Sequence, residues 1–199
     1  MTAAKKCVVT TSILAFLALA ILVAVHSFPK PMFHGDYPYY PDVASITDAA
    51  DVIIVGEVVK AKDVQNLIVN KTPGQSHKTT TPYTVSQVKV IKPIKGKVNA
   101  GDILTVKQLG DYKRKPEVTL HEMNGYLSKD TEQLMFLCEY DDSPYSAVNP
   151  GQGVIEVRDG TTLHSANKYS LFGYAESPKK TTDSLDSAIA MIKDCLNKQ

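Results

Sequence analysis

Between Asp51 and Leu163 the apolar residues come in short, β-branched runs separated by turn-forming residues, and that pattern restricts the chain to a small β fold. Val52-Ile53-Ile54-Val55-Gly56-Glu57-Val58-Val59 is the strongest run. Gly56 inside it predicts a bulge or a tight bend, as a strand curling around a small barrel requires. Tyr83 to Ile94 alternates apolar and polar positions, with one slip at Ser86-Gln87 that reads as a bulge. Turn residues from Lys95 to Asp102 lead into a third strand, Ile103 to Gln108, which Gly110 ends. Leu134-Met135-Phe136-Leu137-Cys138 reads as a buried central strand. Asp159-Gly160, flanked by Val154–Val157 and Thr161–Leu163, carries the strongest short hairpin signal. Asn66 to Pro82 and Ser143 to Gly153 read as loops, and Val118 to Leu127 as a short helix or an irregular crossover.

Two helices frame these strands. Val43, Ile46 and Ala50 share one helical face, and Leu185, Ala188, Ile189, Ile192 and Leu196 recur at helical spacing behind a cap at Thr182 or Asp183. The expected fold is mainly β: a small antiparallel OB-like barrel of about five to six strands, with a short N-terminal helix and a C-terminal amphipathic helix.

The sequence predicts an N-terminal hydrophobic helix ahead of this domain. Lys5 and Lys6 stand before an uncharged stretch, and Ile13–Val25 is almost wholly aliphatic. A positive flank followed by such a run is a translocation signal. Two readings stay open: a signal peptide cut before Phe28, or a single-pass anchor with Val8–Val25 in the membrane and the lysines inside. Either predicts three parts: a leader over 1–28, a Pro/Tyr-rich linker over 29–42, and an extracytoplasmic barrel over 43–199.

The net charge of +1 falls to −1 once Lys5 and Lys6 leave with the leader. Nucleic-acid binders concentrate basic charge on one face, so this balance argues against that class. Cys138 and Cys195 remain in the exported part. They are either a disulfide tying the last helix to a core strand or two buried thiols.

The strand segments resemble exported domains of Gram-positive bacteria. Asp51–Val58 is similar to their opening, Tyr83-Thr84-Val85-Ser86 with Val88-Lys89-Val90 to the next strand, and Lys95-Gly96 with Gly101-Asp102-Ile103 to the turn after it. Leu134–Leu137 and Gly151-Gln152-Gly153 match later landmarks. The resemblance covers about Asp51 to Gly160. It implies an OB-like barrel similar to netrin and metalloproteinase-inhibitor modules, in a group mostly without assigned activity. Asp111-Tyr112 stands where the resemblance implies a glycine pair, and the cysteine-rich N-terminus of the animal inhibitors is missing, so protease inhibition does not carry over.

Catalytic motifs fail on spacing. His121-Glu122 lacks the second His of a zinc-protease helix, and the chain has no Gly-x-Ser-x-Gly, no Cys-x-x-Cys and no P-loop. No motif implies a cofactor or a metal. His34 with Asp36, and Asp141-Asp142, read as solvated loop residues, and His164 as an exposed turn residue. Tyr140, Tyr145 and Gln152, beside Pro150, Gly151 and Gly153, are the candidate ligand-binding residues: tyrosines and an amide on a barrel rim can grip a peptide, glycan or small molecule. The leading expectation is a non-enzymatic binding domain contacting a cell-envelope polymer or protein. The alternatives are an envelope hydrolase using carboxylates such as Glu57 and Glu139, or an inhibitor-like module.

Overall fold

Four consecutive apolar residues in a strand need cover on both faces, because neighbouring side chains point opposite ways. The computed structural model, which describes residues 37–68, 80–113, 125–167, 169–173 and 182–198, supplies that cover. Strand β1 (Val52–Ile68) sends Val52, Ile54 and Val58 into a barrel interior, while Ile53 and Val55 pack outside it. Strand β4 (Glu132–Cys138) does the same, with Met135 and Leu137 inside and Leu134 and Phe136 outside. The outer layer is closed by helices α1 (Val43–Ala49) and α2 (Leu185–Asn197), through Val43, Ile46, Leu185, Ala188, Ile189 and Ile192.

The remaining strands are β2 (Thr80–Lys95), β3 (Ile103–Leu109), β5 (Tyr145–Ala147), β6 (Val154–Arg158) and β7 (Thr162–His164). The order β1-β2-β3-β5-β4 closes on itself through pairing of β1 with β4. β6 and β7 extend the sheet from the other edge of β4. The expectation of an all-antiparallel barrel is corrected: β3 and β5 run parallel, with Val106 opposite Tyr145 and Lys107 opposite Ser146. A closed ring with an odd number of strands cannot alternate direction all the way round, so one neighbouring pair must be parallel.

Gly56 sits at a register shift between β1 and β2. A Cβ there would lie 2.5 Å from Val88 Cγ1 and 3.2 Å from the Lys89 carbonyl oxygen. The absent side chain lets β2 cross close to β1 where the sheet bends. The alternation slip in β2 faces a second shift, where Val58 pairs with Val88 but Lys60 pairs with Gln87, so the extra residue lies on β1. In the β6–β7 hairpin, Asp159 and Gly160 have φ of 52° and 66°, the positive values a tight hairpin turn demands.

Helix α1 is held by a reciprocal cap. Asp42 Oδ1 accepts from Ser45 N at 2.8 Å, and Ser45 Oγ accepts from Asp42 N at 3.3 Å. Lys95 Nζ donates to the Thr47 and Asp48 carbonyls at the other end.

The expected leader over 1–28 and its hydrophobic run lie outside the described residues, as do His34, Asp36 and His121-Glu122. Among the described residues no helix is long and apolar enough to cross a membrane.

Candidate functional site

β3 and β5 pair over only two residues. Past that point a cleft of about 190 Å³ lies between them, floored by Val106, Leu127, Ala147 and Val154. Its rim carries Tyr83 from β2, Lys107 from β3, Tyr140 from the turn after β4, and Tyr37 from the incoming linker. The cross-strand register makes this convergence: Val85 lies opposite Lys107, Lys107 opposite Ser146, and Ser146 opposite Cys138.

Lys107 Nζ is 4.1 Å from the centre of the Tyr140 ring and 5.6 Å from that of Tyr83. Both are cation–π distances. It also donates to Ser143 Oγ at 2.6 Å. The Tyr140 hydroxyl shares a hydrogen bond with Ser146 Oγ at 2.9 Å. Burial, and then the neighbouring Tyr140, push the Tyr83 hydroxyl above the usual phenol range. Burial and then the Asp51 carboxylate push the Cys138 thiol up, against the opposing pull of Tyr140 and Lys107. That thiol, packed against the outer core beside the cleft, is held in its neutral, weakly nucleophilic form.

The three expected ligand residues part ways. Tyr140 lines the cleft. Tyr145 packs against the barrel core and donates its hydroxyl to Glu139 Oε1 at 3.1 Å. Gln152 is only 1 % exposed. Its Oε1 accepts from Tyr40 N at 2.9 Å, and its Nε2 donates to the carbonyls of Tyr40 at 2.9 Å and Tyr169 at 3.0 Å. The amide is fully engaged in holding the linker and the turn at Tyr169 against the barrel. Cys138 and Cys195 stand as free, half-buried thiols against the outer core.

Glu57 and Glu139 do not meet. Glu57 pairs with Glu132 at the start of β4, and Glu139 follows the end of that strand, about 20 Å further on at the strand rise. Neither lines the cleft. Among the described residues no three metal-ligating side chains cluster.

No family model matches the chain, and no curated protein or solved structure is detectably similar to it. The sequence reading missed Tyr83 and Lys107. Tyr83 sits near the start of a strand and Lys107 occupies an alternating polar position, so each has an ordinary explanation until the β2–β3 register, with Tyr83 opposite Leu109 and Val85 opposite Lys107, makes them diagonal neighbours on one face. His164, expected in an exposed turn, ends β7 with its ring beside Glu156.

Proposed function

We propose that this protein is a non-catalytic binding module of the cell envelope. Its apolar N-terminal run carries an OB-like barrel across the cytoplasmic membrane and contacts the bilayer through Val8–Val25. The ordering of the closed five-strand barrel supports the OB-like reading. The barrel takes an envelope polymer or protein at the cleft of Tyr83, Lys107 and Tyr140.

One observation carries this reading: an ammonium group held against two tyrosine rings at the mouth of an apolar cleft. Aromatic faces and a fixed cation above an apolar floor are a recognition surface. The test is co-sedimentation of the full chain with isolated envelope fragments, comparing wild type with Tyr140→Ala and Lys107→Met. Each variant should bind about tenfold more weakly, the size of one lost cation–π contact. Equal recovery of wild type and both variants would remove the cleft from the function. Location has its own test. Protease added outside intact cells should digest the barrel, and its survival there overturns the export part.

A further inference from the structure

The register across β4, β6 and β7 sets Gln133 opposite Glu156 and Glu156 opposite His164. Three polar side chains from three strands therefore stand in one row on one face of the sheet. The row lines a second cleft of about 180 Å³, with Ser128 and Thr131 on its polar wall and Leu127 and Val154 as apolar surface.

Gln133 is 7 % exposed. Its Nε2 donates to Thr131 Oγ1 at 3.1 Å, and its Oε1 accepts from no described protein group. Glu156 Oε2 receives Arg158 Nη2 at 3.2 Å and lies 3.7 Å from His164 Nδ1, while its Oε1 meets no described donor. Arg158 balances the carboxylate charge, so the row offers oriented acceptors rather than a cation trap. Thr47 Oγ1 is the one buried side-chain polar atom without a partner among the described residues, so the Gln133 carbonyl oxygen opens into the cleft and stands there as an accessible acceptor. An outside donor at this carbonyl takes the place of a water.

We propose that this cleft binds one neutral sugar ring, with Gln133 Oε1 and Glu156 Oε1 accepting from neighbouring hydroxyls and His164 flanking them. Cβ atoms of facing residues are about 5 Å apart, a spacing that neighbouring ring hydroxyls can bridge. Leu127 and Val154 supply apolar surface for the C–H face of the ring. The same two residues wall the Lys107 cleft, yet the two clefts draw their polar groups from different strands.

Saturation-transfer NMR on the full chain tests this, with methyl glucoside and N-acetylglucosamine as probes. We expect saturable transfer to ring protons for at least one probe. Glu156→Ala and Gln133→Leu each remove an acceptor and should weaken it at least about tenfold, and Tyr140→Ala should leave it within about twofold. Glu156 is half-exposed, so Glu156→Ala keeps the fold and decides the matter if Gln133→Leu does not fold. Absence of transfer at tens of millimolar sugar overturns the proposal. So does transfer that survives Glu156→Ala, or that Tyr140→Ala weakens as much as Glu156→Ala does.

Discussion

Gln152 uses its side-chain amide as a strand uses its backbone. It accepts from and donates to Tyr40, the reciprocal exchange of a ladder pair, and its second N–H reaches the Tyr169 carbonyl. Asn149 reinforces the contact by donating Nδ2 to the Pro38 carbonyl. Replacing Gln152 by Ala leaves three partly buried backbone groups without their partner. The expected loss is about 2–4 kcal/mol of folding stability, read as a lower urea midpoint at unchanged slope. A loss below about 0.5 kcal/mol would mean that solvent substitutes for the amide. A polar residue between two glycines looks the same in sequence whether its partner is a ligand or a distant stretch of chain. Here the partner lies 112 residues away, and nothing local marks it.

Elements were legible where one face or both faces are buried. Val52–Val55 and Leu134–Leu137 are unbroken apolar runs because the barrel core and the helical layer both claim them. The far end of the β1–β2 ribbon was not legible. β1 continues through Asp63, Gln65 and Asn66 to Ile68, and these residues are largely exposed, so the segment reads as a loop. β5 is three residues long, too short to show a period, yet it closes the ring. The cap of α2 is Ser184 rather than Thr182 or Asp183. The Asp183 carbonyl accepts from Leu163 N, and Thr162 bridges Ser184, so the chain stays extended beside β7 before it coils. At the other helix the cap decides whether a seven-residue segment coils at all. Asp42→Ala removes one half of the reciprocal cap and should cost about 1 kcal/mol. Ile192→Ala, at a fully buried position in α2, should cost about 2–5 kcal/mol. Urea unfolding of the two variants separates them, and equal losses would show that the helices are held by their caps rather than by their buried faces.

Across the whole molecule the resolved shifts of the thiol and phenol groups run one way, upward, with burial the leading cause. Cys138 is pushed above its ordinary 9.0, first by burial and then by Asp51. Tyr40, Tyr83, Tyr126 and Tyr145 are all raised above 10.0, burial leading in each case; a hydrogen bond with Thr84 partly opposes it at Tyr126, and the Glu139 carboxylate adds to it at Tyr145. Each of these groups holds its proton more tightly folded than unfolded. The folded state therefore binds more protons as the pH climbs past the unfolded values, and stability falls with rising pH there. The contribution is complete below about pH 9, and it is lost as the pH rises through the raised values, beginning with Cys138 and continuing with the tyrosines. Urea unfolding between about pH 8 and pH 11 should show a plateau followed by a steady decline. Cys138→Ser should flatten the first part of that decline and leave the later part, because serine does not ionise in this range while the tyrosines still do. A stability that holds level to the top of the range would mean that the rim admits water freely enough to ionise without unfolding, and the cleft at Tyr83 would then be too wet to rely on apolar contact for recognition.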